Sequence, residues 1–261
     1  MKSIFLFVLL YTMVVAFAPA TAGDASEPQG YLSPGAVDIL KILPPAPAQG
    51  EARYESDRAI FKATRRFIGS ARWALATNDV KLSAADMLSD FSCAVGVTMT
   101  IETSPRLVRL MTMARTDTAR ASNTAKDYFK RQRPYQIDDG QTCQAASELA
   151  NSYDYPSGHT TAGWTWALLL AEIAPDQASA ILARGRAFGE SRIVCGVHNA
   201  TAVQAGQLTA VSVLAVMHAV PNFQSDLKAA KEELAALRAG PRTLRPQECA
   251  DLAKLLAQPV F

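Results

Sequence analysis

Lys126, Arg133-Pro134, the run Pro156-Ser157-Gly158-His159, and Ser191-Arg192 followed by His198 are residue types able to hold a tetrahedral oxyanion and attack its central atom. Lys126, Arg133 and Arg192 can neutralise a dianion, and a guanidinium can donate two parallel hydrogen bonds to a phosphate. A Ser-Gly turn that opens a helix offers backbone N–H groups at the positive end of the helix dipole. Ser157 can cap that helix and donate its hydroxyl, while Gly158 permits an unusual backbone angle and close approach of an anion. His159 can protonate a leaving oxygen. A neutral imidazole at His198 can attack phosphorus, giving a phosphohistidine that water later hydrolyses. His218, in the apolar run Leu214–Val220, reads as a core or surface residue.

Singly, these signals are weak. Lys126 and Arg133 are two helical turns apart and share a face if the helix runs intact to Arg133. With Lys130 and Arg131 nearby, that stretch reads better as a solvated basic face. Pro-Ser-Gly-His alone reads equally well as an ordinary capped helix start.

The order of the set is more specific. It resembles the Lys-x6-Arg-Pro … Pro-Ser-Gly-His … Ser-Arg-x5-His-x3-Asp signature of the type-2 phosphatidic acid phosphatase superfamily. Within that family it is most similar to the secreted bacterial class A non-specific acid phosphatases, from about Tyr31 to Gly206. Leu82-Ser83-Ala84-Ala85-Asp86 and the run from Gly189 to Gly196 share the likeness.

The resemblance implies an all-α, single-domain helical bundle of the acid phosphatase/vanadium haloperoxidase type, needing neither metal nor cofactor. It implies that Lys126, Arg133, Ser157, Gly158 and Arg192 bind phosphate, that His198 is the nucleophile and that His159 is the general acid. It points to small-molecule phosphomonoesters as substrates. It also favours a Cys143–Cys195 bridge, leaving Cys93 with Cys249; the sequence by itself allows all three pairings of four cysteines. Relatives of this kind often self-associate, so a homo-oligomer is compatible with the resemblance, although the sequence shows no interface pattern.

The chain departs from the signature at one position: Ala202 stands where the final Asp belongs. That Asp would accept a hydrogen bond from one ring nitrogen of His198 and leave the other free to attack. Thr201, three residues on, is the nearest helical substitute, so it is the expected orienter. Slow turnover is the corresponding expectation. Two alternatives stay open at this stage: a phosphate-binding pseudoenzyme without turnover, and a vanadium-dependent haloperoxidase, whose vanadate is tetrahedral like phosphate.

The elements that must position these residues read as helices. The 261 residues are 49% hydrophobic and 19% charged, enough for one domain with a large core. The net charge of +2 and the scattered basic residues argue against a nucleic-acid polymer as partner. Residues 1–22 have the layout of a signal peptide: Lys2, an apolar run from Ile4 to Phe17, and small residues at Ala20-Thr21-Ala22. Export to the periplasm follows, with no membrane contact after cleavage, and suits paired cysteines.

Residues 23–50 read as a Pro-rich N-terminal arm, and 51–261 as the helical phosphatase domain. Ile60, Phe61, Thr64, Phe67 and Ile68 form one stripe. Ser104-Pro105 opens a helix. A second stretch, Ala119–Gln132, is predicted to end before Pro134. Residues 135–158 read as a long loop, followed by helices over His159–Ala174, Pro175–Arg192, His198–Val220, Asn222–Ala239 and Pro246–Ala257. The apolar runs Trp164–Ala171 and Leu208–Val220 are too short to cross a bilayer and read as core.

Overall fold

The computed structural model describes residues 29–240, 244 and 246–261, so the predicted signal peptide and the start of the arm lie outside the described residues. Among the described residues there are nine α-helices and no strand. They are α1 (Ala52–Thr64), α2 (Ala71–Asn78), α3 (Ala84–Val95), α4 (Pro105–Phe129), α5 (Gly158–Ile173), α6 (Ala178–Val194), α7 (Ala200–Met217), α8 (Pro221–Ala239) and α9 (Pro246–Leu256). The all-α expectation holds.

Helix α5 is the centre of the bundle, packed against α4, α6 and α7. Its sequence is apolar or small on nearly every side, as a helix surrounded by others requires. A Cβ at Gly185 would lie 2.3 Å from the Cβ of Ala167, so α5 and α6 approach more closely there than any side chain allows. Helix α7 is long and apolar enough to cross a membrane by length and composition, but most of it is buried against α4 and α5. It is a core helix, as expected.

Helices α2 and α3 fall in the stretch expected to be helical from Glu51 onward, but their bounds were not expected. They are short, and each is started by a serine cap: Ser70 accepts from the Trp73 N–H and Ser83 from the Asp86 N–H. In the α1 stripe, Phe61 and Thr64 are buried. The chain then tightens into a 3₁₀ turn at Arg65–Phe67 and turns Ile68 outward.

Helix α4 differs from expectation in two ways. It is one continuous helix of 25 residues, and it stops at Phe129 because Lys130 adopts φ 48°. Arg133 lies beyond that break, at the start of a 3₁₀ turn (Pro134–Gln136), so Lys126 and Arg133 do not share a helical face. At the other end Ser104 precedes Pro105, but its side chain makes no capping bond. Glu233 of α8 accepts from the N–H groups of Arg106 (3.0 Å) and Leu107 (3.0 Å) instead, capping α4 while docking α8.

The arm is strapped down rather than loose. Asp117 accepts from the N–H groups of Tyr31 (2.7 Å) and Leu32 (3.1 Å), and the Tyr155 hydroxyl donates to the Pro44 carbonyl (2.9 Å). The disulfides are Cys93–Cys249, joining α3 to α9, and Cys143–Cys195, joining the long loop to the end of α6.

Candidate active site

The N-terminus of α5 forms one wall of the site. Ser157 is its N-cap: the side chain accepts from the Thr160 N–H (3.3 Å) and the Thr160 hydroxyl (2.9 Å), so its own proton is uncommitted. The turn is pinned to α7 by a hydrogen bond from the Ser157 N–H to the Ala202 carbonyl (2.9 Å). This contact depends on Gly206, where a Cβ would sit 2.6 Å from the Ser157 carbonyl oxygen. Gly158 itself is not among the glycines with positive φ, contrary to expectation. A Cβ there would meet Ser122 Oγ at 3.7 Å and Lys126 Cε at 3.8 Å, ordinary contacts facing the cations. Of the first-turn N–H groups of α5, those of Gly158 and His159 have no acceptor among the described residues and are available to an anion.

His198 lies between α6 and α7, after the break at Gly196 (φ +79°). Arg65 closes the end of α6 by donating to the carbonyls of Ile193 (3.0 Å) and Val194 (2.7 Å). The Nδ1 of His198 is 3.0 Å from Asp154 Oδ1, and its Nε2 is 3.1 Å from Arg133 Nη1. A guanidinium only donates, so Nε2 must be the acceptor and Nδ1 must carry the proton. The imidazole therefore points a lone pair at Arg133 and its N–H at a carboxylate.

That carboxylate corrects the expectation for Thr201. The Thr201 hydroxyl accepts from Arg131 Nη1 (2.7 Å) and donates to Asp57, and the His198 Nδ1 faces Asp154 rather than Thr201. Asp154 is fully buried, and its oxygens are all acceptors. Oδ1 takes the His198 N–H and the Asn199 backbone N–H (3.1 Å); Oδ2 takes Asn199 Nδ2 (2.9 Å) and faces Arg131 Nη1 at 3.4 Å. Burial raises the pKa of Asp154, while Arg131 and the two Asn199 donors oppose the rise. With every neighbour a donor, no acceptor is left for a carboxyl proton, and Asp154 is a carboxylate. Arg131 is braced by Asp57 of α1 (2.8 Å), which also accepts from the Thr201 N–H (3.0 Å) at the start of α7.

The cations converge as the sequence suggested, with one difference. Lys126 (7% exposed) and Arg133 (2%) line a cleft of about 360 Å³ together with Gly158, His159 and His198. Lys126 Nζ donates to the Tyr153 carbonyl, and Arg133 donates to Val197 O (2.7 Å) and Ser152 O (2.8 Å). Arg192 and Ser157 are not on the cleft wall but behind it. Arg192 Nη2 donates to Gln144 Oε1 (2.6 Å), and Gln144 faces the cleft. Its Nε and Nη1 are buried and have no partner among the described residues. Buried donors on a cation without acceptors are costly, and an oxyanion has the acceptors they lack. Ser191 holds α6 in register by donating to Asp79 (2.6 Å), which is paired in turn with Arg184 (2.6 Å).

The electrostatics follow from this crowding. Burial, then Arg133, Lys126 and Arg192, push the pKa of His198 well below its usual value, so the ring is neutral. His159 is pushed down by burial first and Arg192 second. Its Nε2 is 3.0 Å from the Val80 carbonyl and must donate there, leaving Nδ1 for proton exchange. Burial and the charge of Arg133 lower Lys126 to about 7. An arriving dianion reverses these pressures and makes protonation of His159 easier. His218 is outside the site, at the end of α7 and 3.4 Å from Glu172. Among the described residues no three His, Cys, Asp or Glu side chains are grouped to hold a metal ion.

Residues 107–226, which carry the whole constellation, match the PAP2 superfamily. An acid phosphatase of Zymomonas mobilis is 40% identical over 208 residues, 79% of each chain. The chain belongs to the PAP2 superfamily. A non-specific acid phosphatase of Providencia stuartii is 34% identical over 232 residues (87% of this chain, 94% of the relative). One from Salmonella typhimurium is 33% identical over 233 residues (87% and 91%). Asp154, Gln144 and Arg131 are the members of this PAP2 site that sequence reasoning missed. The available signal for Asp154 was its place two residues before Pro156, in a turn already singled out.

Proposed function

We propose that this PAP2 protein is an exported, periplasmic acid phosphatase that hydrolyses small phosphate monoesters of broad specificity through a phosphohistidine, without a metal. The observation that carries the reading is the His198 ring, neutral, with its N–H held by Asp154 and its Nε2 lone pair beside Arg133. The relatives, an acid phosphatase and a non-specific acid phosphatase, support it.

Lys126, Arg133, Arg192, Ser157 and the Gly158 N–H hold the phosphoryl oxygens, with Gln144 exchanged for a phosphoryl oxygen at Arg192. Nε2 of His198 attacks phosphorus in line and the bond from phosphorus to the leaving oxygen breaks. His159 gives that oxygen a proton. Asp154 stabilises the positive charge that builds on the ring as the N–P bond forms. Water then attacks the phosphohistidine, His159 takes its proton, and phosphate leaves with His198 restored. Positioning and charge neutralisation are the main needs of phosphoryl transfer, and buried cations supply both.

The missing Asp at position 202 was the ground for a protein without turnover. Asp154 weighs against that alternative, because a carboxylate meets His198 from another direction. Export is supported by the pattern of residues 1–22 and by two disulfides, which persist in oxidising compartments. The test is p-nitrophenyl phosphate turnover together with acid-quench trapping of labelled phosphoenzyme, comparing wild type with His198→Ala. Wild type should turn over and trap label while the variant does neither; equal rates in the two would dispose of the reading.

A further inference from the structure

The cleft extends beyond the phosphate cage along α4. Arg115 lies eleven residues before Lys126, about 16 Å along the axis and only about 20° round it, so both side chains emerge on one stripe. Thr118, Ala119, Ser122 and Asn123 fill the interval and line the same cleft. Two members of this stripe are polar groups that the fold does not use up. Ser122 is 1% exposed, and its Oγ has no partner among the described residues. It sits one turn before Lys126 and beside the start of α5, 3.7 Å from where a Cβ at Gly158 would be.

Arg115 is a half-buried guanidinium. It donates through Nη1 to the Leu82 carbonyl (2.9 Å), and burial alone shifts its titration, downward. No carboxylate pairs with it among the described residues. The nearby Arg120, by contrast, is paired with Asp117 at 3.1 Å. Glu148, a carboxylate lining the same cleft, accepts from Gln144 Nε2 (3.1 Å) and forms no ion pair with Arg115 among the described residues. A cation left without a counter-ion in a substrate cleft favours an anion brought by the ligand.

We propose that the α4 wall is a leaving-group subsite that selects phosphate monoesters whose alcohol portion carries hydroxyls and a second anionic group, with Ser122 donating near the ester and Arg115 pairing the distal anion. This rests on the phosphomonoesterase reading and deepens it. Bisphosphates and phosphorylated hydroxy acids have the required chemistry, whereas neutral sugar or alkyl phosphates satisfy only the cage and Ser122.

The test uses matched substrates that differ in the second charge: 6-phosphogluconate against glucose 6-phosphate, and 3-phosphoglycerate against glycerol 3-phosphate. The readout is the ratio of kcat/KM within each pair. A charge-assisted hydrogen bond at a half-exposed site corresponds to a preference of about tenfold for the acid. Arg115→Met should bring the better pair's ratio close to one and Arg115→Lys should keep part of it. Added salt should erode the wild-type ratio without changing that of Arg115→Met.

A wild-type ratio near one in both pairs overturns the proposal. So does a ratio that survives Arg115→Met, which would make Arg115 a brace for the Leu82 carbonyl and nothing more. Since ratios are compared, a loss of folded protein cancels. Absence of p-nitrophenyl phosphate turnover in the wild type would count against the phosphatase reading itself.

Discussion

Replacing Asp154 by Asn changes one atom in a fully buried position, and the structure sets the consequence. An Asn at 154 cannot satisfy its neighbours in either orientation, because His198 Nδ1–H, both Asn199 donors and Arg131 all need acceptors. If the amide oxygen faces His198, the NH₂ points at Asn199 Nδ2 and Arg131. If it is flipped, the NH₂ faces Nδ1 and drives the ring proton to Nε2, which removes the attacking lone pair. Changing the tautomer of a serine-protease histidine through the same substitution costs about 10⁴ in turnover. Here the ring must also take up positive charge against Arg133, Lys126 and Arg192, so a loss of about 10³–10⁴ in kcat is expected, roughly 4–5.5 kcal/mol.

The assay is kcat for p-nitrophenyl phosphate with the amplitude of trapped phosphoenzyme, beside a melting curve to confirm folding. Alanine 202 supplies the control. Ala202→Asp should give no gain in the wild type, since Asp154 already fills the role and a second buried carboxylate is costly. In the Asp154→Asn background it should recover part of the lost rate. An Asp154→Asn enzyme within threefold of wild type, or a gain from Ala202→Asp alone, refutes the assignment.

Lys126, with its pKa lowered to about 7, loses its charge as pH rises through that value, so KM should climb above pH 7 while kcat changes less. Initial rates from pH 5 to 9 check this, and Lys126→Arg should flatten the rise. Gly158→Ala should fold normally, because the contacts are of ordinary length, yet lose about tenfold in kcat/KM as the methyl group enters the space before Lys126 and weakens a charged hydrogen bond. A melting temperature within a degree or two alongside weakened kinetics is the expected result. Removing the Cys143–Cys195 bridge, whose partners are 52 residues apart, should cost about 4 kcal/mol on the chain-entropy account. It should also raise KM, since Gln144 beside Arg192 is carried on the freed loop; denaturant melts and steady-state kinetics of Cys143→Ser/Cys195→Ser measure both.

The helical bundle was legible because its long helices have apolar faces and marked ends, such as Ser104-Pro105 and Ser157-Gly158. The bounds of α2 and α3 were not, since eight and twelve residues carry too little periodicity to mark them. Pro134 is the obvious stop after Gln132, whereas Lys130 takes a left-handed conformation without glycine or proline to announce it. The cations and histidines of the site were legible because charge and spacing travel with the sequence. Asp154 was not, because which loop carboxylate meets a given imidazole depends on how residues 135–158 fold back, and no period in the chain encodes that path. Thr201 looked suitable by helical spacing, but Asp57, 144 residues away in sequence, claims its hydroxyl.

Asp154 and Ser157 stand three residues apart on a single turn that is fastened to α7 through Ala202 and to the arm through Tyr155. Under the proposed mechanism, grip on the ester through Ser157 and readiness of the imidazole through Asp154 both depend on this turn. Natural variation around Tyr153–Pro156 should therefore move affinity and speed in step, and selection cannot easily trade one against the other there.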